Sequence, residues 1–272
     1  MIFMNERPYL CDVRKFAERR KVRVYLVGGF VRDLLLKREC VDFDFAVEKN
    51  AVAFAKAFAK SIRGAFILLD AEHGCARVAK KEKGKVITYD FADFRGKTLK
   101  DDLKRRDFTI NTLSIDIASL EDGVSLEQRI VDAVGAKRDL KDGLIRMASK
   151  QAFVEDPLRL LRAFSLQAQL GFRIEKETLK QIKTDRDRIT GVSSERLRDE
   201  LFKILESDRA GIVLKAMDRL GILDRVIPQV RLMFGVEQGT YHHLDVWPHA
   251  LETVKQCDQV IRMFQKDIRI SG

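Results

Sequence analysis

The sequence holds few of the residues that interrupt or cross-link a chain. Among 272 residues there are 4 prolines, 16 glycines and 4 cysteines. Together with 46% hydrophobic and 34% charged residues, that scarcity excludes collagen-like and low-complexity scaffolds and argues for a buried core over disorder. The cysteines, Cys11, Cys40, Cys75 and Cys257, show no paired spacing such as C-x-x-C. A reduced, cytoplasmic protein is therefore expected. No run reaches 18 consecutive apolar residues, so no membrane span is expected. The opening MIFMNERPYLCDVRKF is charged early and lacks a long apolar core, unlike a signal peptide. No internal repeat is evident.

What the chain has in excess is positive charge. Lys and Arg number 51 against 41 Asp and Glu, a formal net charge of +10. The excess is spread out: residues 1–140 carry 28 basic and 22 acidic side chains, and residues 141–272 carry 23 and 19. A broad positive field suits a polyanion such as nucleic acid, although ordinary solubility explains the same number.

The patterning predicts an α+β protein: a mixed α/β front of about 140 residues followed by an all-helical rear. Residues 21–27 form a β-rich run ending at Gly28-Gly29, and a helix follows with Val31, Leu34 and Leu35 on one side. Residues 41–47 alternate, placing Asp42 and Asp44 on one face and Val41, Phe43 and Phe45 on the other. An alanine-rich amphipathic helix over 51–60 precedes three strands, separated by Glu72-His73-Gly74 and by the basic stretch 80–85. Residues 101–111 read as a helix, 121–143 as a loop region, and 153–170 as one long helix with Pro157 near its start and Gly171 at its end. Further helices are expected over 175–183, 194–205 and 210–220.

Several side chains point to chemistry on their own. Carboxylates two apart on a strand face one ion from one side, and Mg²⁺ takes carboxylate and phosphate oxygens. Asp42 and Asp44 are thus metal candidates, the alternative being a solvated strand face. Asp90, on the alternating strand 87–91, is a candidate third carboxylate, with Asp93 its competitor. Such a set supports phosphoryl or nucleotidyl transfer, in which bound metal activates the attacking hydroxyl and stabilises the transition state. Gly28 and Gly29 before a helix let backbone approach a phosphate, with Arg32 on the first turn. Arg105, Arg106, Asp107 and Asn111 form a second cluster; on one helix, 107 and 111 would share a face and grip a ribose while Arg106 takes a phosphate. Asp156, Arg159 and Arg162 at spacing three offer an acceptor and two forked donors, suited to the edge of a base or, more plainly, to a surface ion-pair ladder.

Five motifs in order, GGFVRD (28–33), DFD (42–44), RRDFTIN (105–111), IVDAVGAKRDL (130–140) and EDPLRLLRAF (155–164), resemble the class II tRNA nucleotidyltransferases. These are the CCA-adding enzymes, with the bacterial poly(A) polymerases as sisters. The resemblance covers about residues 20–205, and VSSERLRDEL (192–201) is similar to the family's helical neck. It implies a catalytic head over 1–140, a neck with a base-reading helix over 141–205 and a helical body over 206–272. It implies attack of the tRNA 3′-hydroxyl on the α-phosphate of CTP or ATP without a template, with Mg²⁺ on Asp42 and Asp44. Gly28, Gly29 and Arg32 would bind the nucleotide, and Arg106, Asp107 and Asn111 its sugar and phosphates. Asp156 and Arg159 would read the base, supported by Arg162; Asp90 would be the third catalytic acid.

Two departures stand out. Many relatives carry another arginine where this chain has Ser165. Residues 241–251 (YHHLDVWPHAL) resemble the opening of an HD domain, with His249 as its first histidine, yet no later His-Asp dipeptide follows. The chain is therefore expected to stop inside that region, and His242, His243 and His249 to be structural or interfacial, since adjacent 242 and 243 suit one zinc ion poorly. The lean is towards the A-adding or HD-containing branch. Poly(A) addition and a non-catalytic RNA-binding module are the alternatives, and self-association would enlarge a short RNA-gripping surface.

Overall fold

The computed structural model describes residues 8–40, 42–82, 84–120, 125–236 and 245–270. The chain divides into two compact units, Met1–Asp142 and Gly143–Gly272. Among the described residues no helix is long and apolar enough to cross a membrane.

The first unit is built on a six-stranded mixed sheet in the order β3-β4-β5-β2-β1-β6. Its strands are β1 (Val24–Val27), β2 (Asp42–Val47), β3 (Ala65–Asp70), β4 (Cys75–Glu82), β5 (Lys85–Asp93) and β6 (Ser114–Asp116). β2 runs antiparallel to β1 and parallel to β5. Helices α1 (Pro8–Arg20), α2 (Gly29–Leu35), α3 (Ala51–Ile62), α4 (Leu99–Lys104) and α5 (Ala136–Lys141) complete it. Helix α3 forms because alanine-rich sequence has the highest helix propensity, and its apolar residues Ala51, Phe54, Ala55, Phe58 and Ala59 recur at helical spacing and are buried.

The period-two reading of β2 holds. Phe43 and Phe45 are buried, Asp42 is exposed and Asp44 half-buried. Phe43 and Phe45 stack with Tyr89 and Phe91 of β5 at centroid distances of 5.0–6.5 Å. Phe54 and Phe58 of α3 close over them, 5.2 Å from Phe91 and 5.3 Å from Tyr89. Each such ring contributes roughly 1.5–3 kcal/mol by burial. One face of β2 is thereby committed to the core, which leaves the aspartates on the other.

The second unit is mainly helical: α6 (Ala152–Glu155), α7 (Arg159–Leu170), α8 (Lys176–Asp185), α9 (Ser194–Leu205), α10 (Ala210–Arg219), α11 (Leu223–Val226) and α12 (Val246–Ile270). Contrary to an all-helical rear, β7 (Leu144–Ile145) and β8 (Arg173–Ile174) pair in parallel. Gly171 ends α7 with φ 70° and Gly221 follows α10 with φ 66°, the left-handed stops expected of them.

Four further readings are corrected. The helix over 101–111 is only α4; Arg105 ends it, and Phe108 turns extended (φ −128°) to bury its ring before a 3₁₀ turn over Thr109–Asn111. The loop over 121–143 contains α5, whose start is organised by Asp132: its carboxylate accepts the N–H groups of Val134, Gly135, Ala136 and Lys137 at 2.8–3.2 Å. The helix over 153–170 is broken, because Pro157 disfavours helical geometry in the residue before it and Asp156 is extended (φ −148°). The basic stretch 80–85 is strand as far as Glu82, with the hairpin closed by the opposite-charge pair Glu82–Lys85.

Candidate active site

In the first unit, the end of β1 and the start of β2 bring the glycine turn to the aspartates. Val27 pairs with Asp44, so Gly28 lies beside the Asp44 side chain. Gly28 has φ 75° and ψ −144°, a conformation open essentially to glycine alone. A Cβ there would stand 2.9 Å from Asp44 Oδ2. The carboxylate therefore occupies the space that a side chain at 28 would fill. At Gly29 the nearest atom to such a Cβ is Arg32 Nη2, at 3.5 Å.

Arg32 is buried and tightly placed. Its Nε and Nη2 donate to Asp33 at 2.9 Å each, and its Nη1 donates to Asn111 Oδ1 at 2.9 Å. Asn111 in turn donates Nδ2 to both Asp107 oxygens, at 3.1 and 3.2 Å. Asp107 and Asn111 thus meet although no helix joins them, because the 3₁₀ turn folds Asn111 back. The Phe108 N–H donates to Asp107 Oδ1 at 2.7 Å and fixes that carboxylate. Arg106 donates Nε and Nη2 to Asp102 Oδ2 at 3.1 and 2.9 Å, and Asp102 is buried. Asp33 and Asp102 had no assigned role in the sequence reading. Arg-Asp adjacency at 32–33 and the four-residue spacing of 102 and 106 were the available signals.

The carboxylates are not equivalent. Thr88 donates its hydroxyl to Asp42 Oδ1. Asp90 stands directly beside Asp44 in the parallel register of β2 and β5. Both Asp90 oxygens, however, accept from Arg77 Nε and Nη2 at 2.7 Å, a forked pair across β4 and β5. This hydrogen bonding raises the Arg77 pKa above its usual value, against the opposing effect of burial. Among the described residues no three carboxylate, histidine or cysteine side chains converge as a ready-made ion site. Asp42 and Asp44 nonetheless fit a hard divalent cation: they are oxygen donors on the strand face turned away from the core, and Gly28 leaves space for the Asp44 carboxylate.

In the second unit the three candidate base-reading residues are differently engaged. Asp156 accepts from Arg196 Nη2 at 3.0 and 3.2 Å and from the Leu158 N–H at 3.2 Å. Arg159, the first residue of α7, is buried and donates Nη1 to the Ala152 carbonyl at 3.1 Å, with Glu155 at 3.5 Å. Arg162 is exposed one turn on. Asp156 precedes α7, so the three do not share one helical face. Ser165 is buried and donates to Glu200 of α9, which also holds Lys203 at 2.8 Å. His249 is exposed on the first turn of α12, while His242 and His243 lie outside the described residues.

A mixed sheet that presents paired carboxylates beside a glycine turn, followed by a separate helical unit, is the architecture of a nucleotidyltransferase head with its helical extension. The sequence comparisons give the same class. Residues 24–146 match the poly A polymerase head domain, and residues 171–233 match the probable RNA and SrmB-binding site of polymerase A. The A-adding tRNA nucleotidyltransferase of Deinococcus radiodurans is 37% identical over 236 residues, covering 85% of this chain and 51% of the relative. The CC-adding tRNA nucleotidyltransferase of Geobacter sulfurreducens is 38% identical over 198 residues, covering 73% and 44%. Among solved structures, the Thermotoga maritima CCA-adding enzyme complexed with tRNA superposes with a TM-score of 0.69 at 35% identity, over 82% of this chain and 52% of that one. This chain belongs to the poly(A) polymerase and class II tRNA nucleotidyltransferase family. It spans about half the length of the curated relatives it matches.

Proposed function

We propose that the chain adds nucleotides without a template to the 3′ end of tRNA, the CCA sequence or its terminal A, from CTP and ATP with release of pyrophosphate. The seat of Asp44 against Gly28, with Asp42 on the same strand face, is the observation that carries this reading. It is supported by relatives whose names are A-adding and CC-adding tRNA nucleotidyltransferases. A cytoplasmic site of action follows from those substrates.

Asp42 and Asp44 hold the Mg²⁺ in this reading. When bound there, the ion lowers the pKa of the RNA 3′-hydroxyl and neutralises charge gathering on the α-phosphate. Gly28 and Gly29 bring backbone to the triphosphate, Gly28 also leaving space for the Asp44 carboxylate, and Arg32 faces it from the first turn of α2. Three of the five Arg32 donors are used by Asp33 and Asn111, which fixes the guanidinium plane before substrate arrives. Arg106, Asp107 and Asn111 hold phosphates and sugar, while Asp90 adds a third carboxylate once exchanged from Arg77. Asp156 and Arg159 read the base edge, with Arg162 in support. Residues 1–140 act as the catalytic head, 141–205 as the neck and 206–272 as the body that handles the acceptor end.

The test supplies tRNA lacking its 3′ end, or ending in CC, with labelled CTP and ATP separately in Mg²⁺. Incorporation of C and then A gives the full reaction, and A alone onto a CC end gives the A-adding reaction. Absence of incorporation with tight, steeply salt-dependent tRNA binding would overturn the catalytic reading. Asp42→Ala is expected to abolish transfer while leaving tRNA binding within about threefold, since the basic surface is unchanged.

A further inference from the structure

The first unit contains a recess whose lining includes neither Asp42 nor Asp44. Strands β1 and β2 are antiparallel, with Val27 opposite Asp44 at one end and Val24 opposite Val47 at the other. Just beyond the Val24–Val47 end lies a cavity of about 490 Å³. Arg23, which leads into β1, is on its wall, five residues from Gly28; at ~3.3 Å per residue that is roughly 16 Å from the catalytic turn.

Four cations stand around this cavity: Arg20 at the end of α1, Lys21, Arg23, and Lys49 after β2. All four are exposed, and none makes an ion pair with the described residues. Elsewhere in the same unit arginines are held by carboxylates, as Arg32, Arg77 and Arg106 are. Glu48 is the one acid in the lining. Half-buried Phe16 and the largely buried Phe54, 6% exposed, line its apolar side, their rings edge-on at 5.3 Å, and the Arg20 guanidinium lies 5.2 Å from the Phe16 centroid. The N-terminus of α3 adds little, because Asp93 already takes the Ala51 N–H at 2.7 Å.

Four cations gathered around a single carboxylate repel one another, and an anion in their midst relieves that repulsion. A volume within the ~300–1,000 Å³ range of small-molecule pockets is more than a bare phosphate fills, and the aromatic side favours a flat apolar body. We propose that this cavity is a binding site for a phosphorylated nucleoside, with its phosphate on the Arg20, Lys21, Arg23 and Lys49 rim and its base against Phe16 and Phe54. The occupant is either a free nucleotide or one residue of an RNA strand; the recognised chemistry is the same. Its distance from Asp42 and Asp44 separates it from the reacting nucleotide, and the proposal stands independently of the catalytic reading.

The test is a ¹H–¹⁵N NMR titration of the whole chain without Mg²⁺, using 5′-AMP, adenosine, inorganic phosphate and a 5′-phosphorylated RNA tetranucleotide. Saturable shifts are expected for the amides of residues 20–23 and 49–54 with AMP, at an affinity at least about tenfold above adenosine or phosphate. Arg23→Glu with Lys49→Glu should weaken AMP binding at those amides by at least about tenfold, through loss of charge-assisted hydrogen bonds. The control pair Lys56→Glu with Lys60→Glu, exposed on α3 outside the cavity and equal in charge change, should leave it intact. Tighter binding of the tetranucleotide assigns the site to an RNA strand, and equal binding assigns it to free nucleotide. No shifts in those amides at millimolar AMP, or equal weakening by the control pair, would overturn the proposal.

Discussion

Replacing Gly28 by alanine separates the seat of the carboxylate from the general tolerance of the turn. At φ 75° and ψ −144° an L residue costs roughly 1–3 kcal/mol in backbone strain. For a unit of this size that is a fall in Tm of roughly 3–10 °C, well short of unfolding at 25 °C. The new methyl would also start 2.9 Å from Asp44 Oδ2, so the carboxylate must retreat by about half an ångström to reach ordinary contact. If Asp44 holds Mg²⁺ as proposed, a shift of that order costs up to roughly 10²-fold in rate. The loss should fall on kcat, and the Mg²⁺ concentration needed for half-maximal rate should rise. Gly29→Ala is the internal comparison. Its methyl meets the Arg32 guanidinium at ordinary contact distance, 3.5 Å to Nη2, at the start of α2 where alanine favours the helix. That variant should keep its Tm and its Mg²⁺ dependence, with any effect confined to the KM for nucleotide. Steady-state addition to tRNA across a Mg²⁺ series, with thermal melts of both proteins, reads all of these. If Gly28→Ala keeps kcat within about threefold despite its lower Tm, the close approach has no bearing on catalysis.

Three further outcomes follow from particular contacts. Asp90→Asn should shift Tm by less than about 3 °C, because the Arg77–Asp90 pair is partly exposed, 41% and 28%, and such pairs contribute at most about 1 kcal/mol; turnover should nevertheless fall at least about tenfold, and unchanged turnover would remove Asp90 from the catalytic set. Gly211→Ala should destabilise the second unit by about 1–3 kcal/mol in denaturant melts, because its methyl would stand 2.8 Å from the Lys255 backbone and part α10 from α12; a wild-type midpoint would show that α12 yields freely. Asp132 has its pKa held below the ordinary 3.8: burial acts to raise it, but the N–H groups of Lys137, Ala136, Val134 and Gly135 outweigh burial. A depressed folded pKa contributes stability above the unfolded value, and that stability is lost as pH falls through the folded value. The Tm advantage of the wild type over Asp132→Asn should therefore be full above about pH 5 and shrink below pH 4; an advantage independent of pH would refute the carboxylate's role.

Much of the head was legible because its signals are local. Alternation over 42–47 needs only the two-residue period of a strand, and it placed Phe43 and Phe45 in the core and the two aspartates on the open face. The same holds for α3, where alanine content and apolar spacing agree. The readings that failed rested on helical spacing carried across a residue that stops a helix. Asp107 and Asn111 do meet, but through a 3₁₀ turn after an extended Phe108, since burying that ring matters more than continuing α4. Asp156 lies outside α7 because Pro157 acts on the residue before it, a consequence that spacing alone does not register.

Partners across strands and helices were the least legible part, and they alter the chemistry of the residues they hold. Nothing local in residues 75–82 says that Arg77 will stand opposite Asp90, because the register depends on where the hairpin at 82–85 closes. Yet that register decides that Asp90 is held by Arg77 from the neighbouring strand while Asp42 takes the Thr88 hydroxyl. Arg159 illustrates the same dependence in the helical unit. As a residue in a motif it looks like an exposed donor; in the fold it is buried and spends one Nη on the Ala152 carbonyl. A donor fixed in this way loses little freedom on binding, so in the proposed reading preorganisation rather than exposure would suit Arg159 to discriminate bases. Arg159→Lys preserves the charge but removes the fork, and should relax the choice between ATP and CTP by at least about tenfold in relative kcat/KM. Wild-type selectivity in that variant would mean that the base is read elsewhere.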